Sequence, residues 1–191
     1  MTGVTTPTRP SAARDRLLAT ASTVFYGDGI RGVGVDRIVT EAGVTRATFY
    51  RHFPGKDGLV VAYLQAIDAA VRARVGEVPG AAAEAADQVR AIAGGVGEQL
   101  CSAGFRGCPF INAAAEFPDP ASPVHRAVVE HRDWLAGTVT RAFAVAGHAE
   151  PAEASRRFVM LRDGAMVAGY LEDPAAARAT LLAAVEDLLP A

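Results

Sequence analysis

The segment that decides the fold runs from Gly29 to Leu59 and reads GIRGVGVDRIVTEAGVTRATFYRHFPGKDGL. Apolar residues at helical spacing between two glycines predict a short helix over about 35–42. Thr45 is placed to cap a second helix of about two turns, which the Phe-Pro-Gly sequence at 53–55 must end. Two short helices joined by a turn that contains glycine are typical of a helix-turn-helix.

The rest of the chain is also predicted to be helical. Ala accounts for 40 of the 191 residues and Ile for only 5, and Ala favours helices whereas β-branched residues favour strands. Apolar residues recur every three or four positions between Pro and Gly breaks. We therefore predict an all-α fold of about nine helices, with a disordered tail over residues 1–11, a helix-turn-helix domain over 12–56 and a helical domain over 57–191.

Charge is distributed unevenly along this chain. Residues 1–56 contain eight Lys or Arg and four Asp or Glu, a net charge of +4, whereas the whole chain carries −2. The remaining residues therefore carry −6. A basic head joined to an acidic body indicates that only the head faces an anionic partner.

The start of the second short helix has the chemistry to bind DNA. In a helix-turn-helix the first residues of this helix reach base edges in the major groove, where Arg suits guanine. The predicted base-reading residues are Arg46, Ala47 and Thr48, and Thr45 with the free N–H groups beside it can hold a phosphate. Further side chains suit the DNA backbone: Tyr50, His52 and Lys56, with Arg37 and Arg51 as either phosphate contacts or solvated surface charges.

The same residues resemble the N-terminal DNA-binding domain of the TetR-type family of bacterial transcriptional repressors. The resemblance covers about residues 12–62 and is carried by the Gly-Val-Thr turn at 43–45, the Ala-Thr-Phe-Tyr sequence at 47–50, and His52-Phe53 followed by Lys56 and Leu59. One position departs from the family pattern. Gly34 opens the first short helix where the family usually has Ser or Thr, and so offers no hydroxyl to a phosphate.

The resemblance implies a homodimer whose second domain holds a small-molecule pocket, and whose effector releases it from a palindromic DNA operator. Small and large apolar residues on the last two helices suit a dimer interface: Phe158, Leu161, Ala165, Ala168, Leu181, Leu182 and Val185. Aromatic and other candidate residues for the pocket suit a hydrophobic or aromatic effector: Tyr63, Ile67, Phe105, Phe110, Asn112, Phe117, His131, Trp134, Met160 and Met166. Most of the pocket candidates are expected to be ordinary core residues.

Other functional classes find less support. No catalytic motif, metal-binding spacing or membrane-spanning segment is found, so we predict no enzyme, cofactor, metal site or membrane contact, and a cytoplasmic protein that reaches the nucleoid by binding its operator. Three alternatives stay open: a helical binding protein or enzyme with a relic DNA-binding head, a regulator that senses oxidants through Cys101 and Cys108, and an activator in place of a repressor.

Overall fold

The computed structural model describes residues 11–190, which form nine α-helices and no strand. The predicted all-α fold is confirmed. The helices are α1 (Ala12–Asp28), α2 (Val35–Glu41), α3 (Arg46–His52), α4 (Lys56–Val75), α5 (Ala82–Leu100), α6 (Pro109–Glu116), α7 (Pro123–Val145), α8 (Pro151–Leu171) and α9 (Pro174–Glu186). All of the predicted tail except Ser11 lies outside the described residues. None of the helices over residues 11–190 is long and apolar enough to cross a membrane.

The chain divides into two compact units between Tyr63 and Leu64. The division falls inside α4, seven residues beyond the boundary that we place at residue 56 from the sequence. The first eight residues of α4 therefore belong to the N-terminal unit, and its remaining twelve belong to the C-terminal unit.

The N-terminal unit packs α1, α2, α3 and the start of α4 around Phe49. Phe49 is fully buried with Leu17, Ile38 and Leu59, one residue from each of the other three helices. Gly43 has a φ of 62°, so the turn between α2 and α3 needs the left-handed conformation that glycine adopts at little cost. This core fixes how α2 and α3 cross, and therefore which residues of α3 face outward.

In the C-terminal unit, α5 packs against α7, α8 and α9. One face of α5 is fully buried at helical spacing: Ala85, Val89, Ala93, Gly97 and Leu100. Small residues allow close approach along this face. A Cβ atom at Gly97 would lie 2.7 Å from Arg178 Cγ on α9, and one at Gly169 on α8 would lie 2.8 Å from Leu100 Cδ2.

Several helix ends differ from the sequence prediction by a few residues. Helix α5 runs through Gly94 and Gly95 without a break, because both glycines keep helical conformations between well-packed neighbours. The sequence predicts that this helix runs to about residue 103, but it ends at Leu100. The sequence predicts that the last helix runs to about residue 189, but α9 ends at Glu186, where the chain tightens into turns. Helix ends depend on local capping contacts that apolar spacing does not reveal.

Candidate nucleic-acid interface and ligand cavity

The turn before α3 is held by Thr45. The Thr45 Oγ1 atom accepts a hydrogen bond from the backbone N–H of Thr48 at 3.1 Å, and the two threonine hydroxyls lie 3.0 Å apart. This is the capping arrangement that the sequence predicts. Because one cap fixes the start of α3, the side chains that follow have defined directions.

The side chains of α3 that point outward include the predicted base-reading residues. Arg46 and Ala47 are exposed, and Arg46 Nη1 lies 3.2 Å from Asp36 Oδ1 on α2. Both partners of this ion pair are exposed to solvent, so the contact orients the guanidinium and holds it weakly. The position of Asp36 in the first turn of α2 predicts an interaction with the helix dipole, and the structure adds this contact with α3.

Tyr50 follows Arg46 by one helical turn and therefore lies on the same face of α3. Its side chain is 52% exposed although its ring packs edge-on against Phe49, with 5.1 Å between the ring centroids. The core contact holds the ring while much of the side chain stays in solvent. Arg51 is also exposed, one turn beyond Ala47.

His52 and Lys56 join separate parts of the N-terminal unit. A ring nitrogen of His52, Nε2, lies 3.2 Å from Ser11 Oγ at the start of α1. Lys56 Nζ donates a hydrogen bond to the backbone carbonyl of Arg31, in the loop between α1 and α2, at 3.3 Å. Both side chains therefore have a structural contact in addition to the DNA contact that we predict for them.

Arg37 is the most strongly paired of the predicted DNA contacts. Its guanidinium lies 2.7 Å from Glu41 Oε1 and 2.7 Å from Asp28 Oδ2. Hydrogen bonds to these carboxylates raise the pKa of Arg37 above its usual value. With two carboxylates already beside it, Arg37 is less available than Arg46 for a phosphate contact, and of the two predicted roles this favours the surface charge.

The C-terminal unit contains a cavity of about 160 Å³ between α4, α5, α6, α7 and α8. Its walls are mostly apolar, with Ile67 and Val71 from α4, Ile92 from α5 and Met166 from α8. Four long polar side chains also line it: Arg74, Gln88, Gln99 and Arg162. A concave apolar site with a few polar groups is the usual form of a small-molecule site.

Comparison with known proteins identifies the family. The family model described as bacterial regulatory proteins of the tetR family matches residues 17–63. The crystal structure of SCO4454, a TetR-family transcriptional regulator from Streptomyces coelicolor, is 52% identical to this chain. That match covers 93% of this chain and 94% of SCO4454, with a TM-score of 0.86. The chain belongs to the TetR family. The prediction of a DNA-binding transcriptional regulator is thereby confirmed.

Curated relatives within the family match over shorter lengths. The transcriptional regulator LmrA of Bacillus subtilis is 26% identical over 64% of this chain and 66% of its own length. The transcriptional repressor KstR2 of Mycolicibacterium smegmatis is 36% identical over 29% of this chain and 27% of its own. The transcriptional activator FasR of the same organism is 42% identical over 27% and 24%. All of these names describe transcription regulators, which points to a non-enzymatic transcription factor.

The cavity of this TetR-family chain brings together some of the predicted pocket residues. Ile67, Phe110, His131 and Met166 line it. The other candidates do not line it. Tyr63 packs edge-on against Phe25 in the N-terminal unit, and Trp134 lies under the guanidinium of Arg72. Four more are absent from the cavity wall: Phe105, Asn112, Phe117 and Met160.

The polar residues of the sequence predict that His131, Asn112 and Glu116 orient the polar end of an effector, but only His131 lines this cavity. Asn112 is exposed, and its side-chain amide donates a hydrogen bond to the backbone carbonyl of Arg106 at 2.9 Å. Sequence reasoning missed the polar residues that do line the wall, namely Arg74, Gln88, Gln99 and Arg162. The sequence offered a signal for two of these residues, because Gln88 and Gln99 are the only glutamines on the Ala-rich helix α5.

His131 combines apolar packing with a short polar contact to Asp68. Its ring stacks on Phe110 with 3.7 Å between centroids, and its Nδ1 lies 2.7 Å from Asp68 Oδ1. Burial lowers the pKa of His131, and the opposing effect of Asp68 does not restore it. Burial raises the pKa of Asp68, but hydrogen bonds from Arg72 and His131 outweigh burial and lower it. The lowered pKa favours the neutral imidazole, and a proton on Nδ1 would be donated to the Asp68 carboxylate.

Arg162 and Cys108 meet in the wall of the cavity. Arg162 Nη2 lies 3.1 Å from Cys108 Sγ, and Nη1 lies 2.9 Å from Asp163 Oδ1. Burial lowers the pKa of Arg162, but the thiol and the carboxylate raise it above its usual value. Cys101 is exposed, and its Sγ lies 3.8 Å from the Pro174 carbonyl. Both cysteines are free and have different partners, and a redox pair stays a prediction.

The seven residues that we predicted for a dimer interface separate into three groups. Phe158, Leu181 and Val185 are buried within the protomer, so most of their apolar area packs inside this chain. Leu161, Ala165 and Ala168 line an open groove between α8 and α9, together with part of Leu181. Leu182 is partly exposed and does not line the groove. Met160 lies in the groove and not in the cavity, and it is 72% exposed.

Proposed function

We propose that this protein is a one-component repressor that binds a palindromic DNA operator as a homodimer and is released by a small, hydrophobic or aromatic effector. The observation that carries the proposal is the outward face of α3, where Arg46 and Tyr50 lie one turn apart in a segment of net positive charge. The proposed DNA-binding domain spans residues 12–56. The proposed effector and dimerisation domain spans residues 57–191.

Recognition of DNA is proposed to divide between bases and phosphates. Arg46, Ala47 and Thr48 face base edges, and Tyr50 presents its hydroxyl to a phosphate. His52, Arg51 and Lys56 add cationic or hydrogen-bonding groups. Arg46 must exchange the carboxylate of Asp36 for a base, and this costs little because the ion pair is exposed.

The proposed dimer is supported by the outer face of α8. Met160, Val167, Tyr170 and Leu171 are at least half exposed to solvent, and such a cluster of large apolar side chains marks an interaction surface. The groove beside Met160 is lined by small residues, including Gly164 and Ala168, which let a helix of a second copy approach closely. Two copies are what a palindromic operator requires.

The proposed effector site is the cavity in the C-terminal unit. A ligand that binds better to a conformation unsuited to DNA shifts the population away from the operator. Couplings of this kind are typically about 1–3 kcal/mol, which is enough to vacate an operator without unfolding the protein. Helix α4 supports the coupling because it supplies Lys56 to the N-terminal unit and Ile67 to the cavity wall as one continuous helix.

The sign of regulation is proposed as repression. KstR2 is named a repressor and FasR an activator, so membership of the family permits either sign. The sign depends on where the operator lies relative to the promoter. Operator binding places the protein at the nucleoid, in the bacterial cytoplasm.

Footprinting of genomic fragments from the source organism tests the proposal. The expected result is protection of two half-sites about one helical turn apart. If each α3 unit binds roughly four phosphates, the logarithm of affinity falls against the logarithm of salt concentration with a slope of about −7. A slope near zero, or equal binding to every fragment, contradicts the proposal. A promoter fusion then shows whether deletion of the gene raises or lowers transcription.

A further inference from the structure

Gln88 holds its side-chain amide in one orientation at the cavity. Its Nε2 donates hydrogen bonds to the backbone carbonyls of Val75 and Glu77, each at 2.9 Å. Because the nitrogen is used twice in this way, a flip of the amide would place its oxygen against two carbonyl oxygens. The orientation is therefore fixed by the end of α4.

The oxygen of this amide has no hydrogen-bond partner. Gln88 Oε1 is buried, and it is the one buried side-chain nitrogen or oxygen in residues 11–190 without a hydrogen bond. An unpaired buried acceptor costs about 1–3 kcal/mol. Since Gln88 lines the cavity, a ligand that brings an O–H or N–H group to Oε1 would remove this cost.

The charge of the cavity wall is positive. Arg74 and Arg162 line it, and no Asp or Glu does. Arg162 is paired with Asp163 at 2.9 Å, although Arg132 also contacts this carboxylate, at 2.6 Å. Arg74 has no ion-pair or hydrogen-bond partner among residues 11–190. Its Nη1 lies 3.9 Å from the position that a Cβ of Gly95 would occupy, so the guanidinium is placed along the α5 side of the cavity.

The size of the cavity restricts the ligand further. Its volume of about 160 Å³ is close to that of an engineered cavity of about 150 Å³ that takes up benzene. The stacked rings of Phe110 and His131 both line the cavity, and their aromatic surface suits an aromatic ligand. The space therefore matches one ring with short substituents.

We propose that the effector is a single-ring organic acid that also carries a hydrogen-bond donor. The donor, a hydroxyl or amino group, binds Gln88 Oε1, and the acid group binds the guanidinium of Arg74. This inference rests on the proposed function only in taking the cavity as the effector site. It narrows a hydrophobic or aromatic effector to an anionic, donor-bearing one.

Titration calorimetry on the full chain tests the inference with four probes. The probes 3-hydroxybenzoate and 4-hydroxybenzoate carry both groups, benzoate lacks the donor, and phenol lacks the acid. At least one hydroxybenzoate is expected to bind about tenfold more tightly than benzoate and about tenfold more tightly than phenol. Phenol or benzoate binding as tightly as both hydroxybenzoates overturns the inference, and so does failure of both hydroxybenzoates to bind at millimolar concentration.

Two variants test whether Gln88 binds the donor group of the ligand and whether Arg74 binds its acid group. In Gln88→Met the preference for hydroxybenzoate over benzoate is expected to disappear, a loss of about tenfold. The variant also loses two hydrogen bonds to α4, but any resulting distortion weakens both probes, so the ratio of their affinities is the measured quantity. The matched control is Gln65→Met, because Gln65 is exposed and does not line the cavity. A preference that survives in Gln88→Met overturns the assignment.

In Arg74→Met the preference for hydroxybenzoate over phenol is expected to fall about tenfold. The matched control is Arg156→Met, which removes an exposed guanidinium on α8 outside the cavity. Equal loss in both variants would show a general charge effect and overturn the role of Arg74.

Operator binding, measured separately, distinguishes the proposed function from the inference about the effector. Hydroxybenzoate that binds as expected and leaves the operator complex intact contradicts the proposed function alone, and operator release by a neutral or multi-ring compound contradicts this inference alone.

Discussion

The two units of the chain differ in how closely their sequence is tied to their function. In the N-terminal unit, one short segment gives both the fold and the residues that face outward, because Phe49 and Gly43 fix the helix crossing that presents Arg46 and Tyr50. In the C-terminal unit the helices are equally clear, but the cavity depends on which of many similar apolar residues face inward. DNA offers the same backbone to every such unit, whereas effectors differ.

Phe49→Ala is expected to have the largest effect, because it should unfold the N-terminal unit and leave the C-terminal unit folded. Loss of a fully buried Phe costs about 3–5 kcal/mol, a large part of the stability of a small unit. We expect operator binding to be lost while the C-terminal unit keeps its folded signal in circular dichroism. Phe143→Ala, at an equally buried position in α7, is expected to affect the C-terminal unit instead. Retention of full operator affinity in Phe49→Ala would show that the core of the head does not position α3.

A second change tests whether the exposed face of α8 is an interface. Met160→Glu places a charge where the proposed partner packs, and the dimer dissociation constant is expected to rise about 100-fold. The side chain is 72% exposed in the protomer, so the protomer should still fold. Val129→Glu makes a similar change at an exposed position on α7 and is expected to leave the dimer intact. Sedimentation velocity measures both, and equal behaviour of the two variants would place the interface elsewhere.

Substitutions on α3 separate base recognition from phosphate binding. Arg46→Ala is expected to cost about 1–3 kcal/mol and to change the preferred base at one position of each half-site. Tyr50→Phe and Lys56→Ala are expected to weaken binding to all sequences alike. Arg37→Ala removes the same charge as Arg46→Ala and serves as the control, because Arg37 is already paired with two carboxylates. Selection of bound sequences from a random pool measures the preference, and an unchanged preference in Arg46→Ala removes it from base reading.

The smallest expected effect is a dependence of C-terminal stability on pH. The pKa of His131 in the folded chain lies below its ordinary value of 6.5, so below about pH 6.5 the unfolded chain binds a proton that the folded chain does not. Stability therefore falls as the pH is lowered from about 7 to 5, and Asp68, whose pKa is also lowered, adds a further loss at lower pH.

The melting temperature at these two pH values measures the effect of His131. His131→Phe is expected to show a smaller decrease than the wild-type chain. His148→Gln, at another histidine outside the cavity, is expected to keep the full decrease. An equal decrease in His131→Phe and the wild-type chain would show that other groups cause it.

The sequence predicts the DNA-binding features of the N-terminal unit better than the cavity of the C-terminal unit. The helices are predicted to within a few residues, since Pro and Gly mark most of their ends, and the cap at Thr45 is predicted to the residue. The ion pair between Arg46 and Asp36 is not predicted, because the two lie ten residues apart on different helices. Trp134 and Met160 share the apolar character of true cavity residues, and only the rotation of their helices shows that they face elsewhere.

The dual role of α5 has a consequence for how effector specificity changes between relatives. Its packed face, with Gly97 and Leu100 against α9 and α8, tolerates almost no added atoms, whereas the adjacent face with Gln88, Ile92 and Val96 borders empty space. If the cavity is the effector site, as we propose, substitutions at Ile92 and Val96 are expected to change which effector binds and to leave the packed face of α5 intact. The helix thus offers a defined set of positions at which the sensor can be redirected to new molecules, by natural selection or by design.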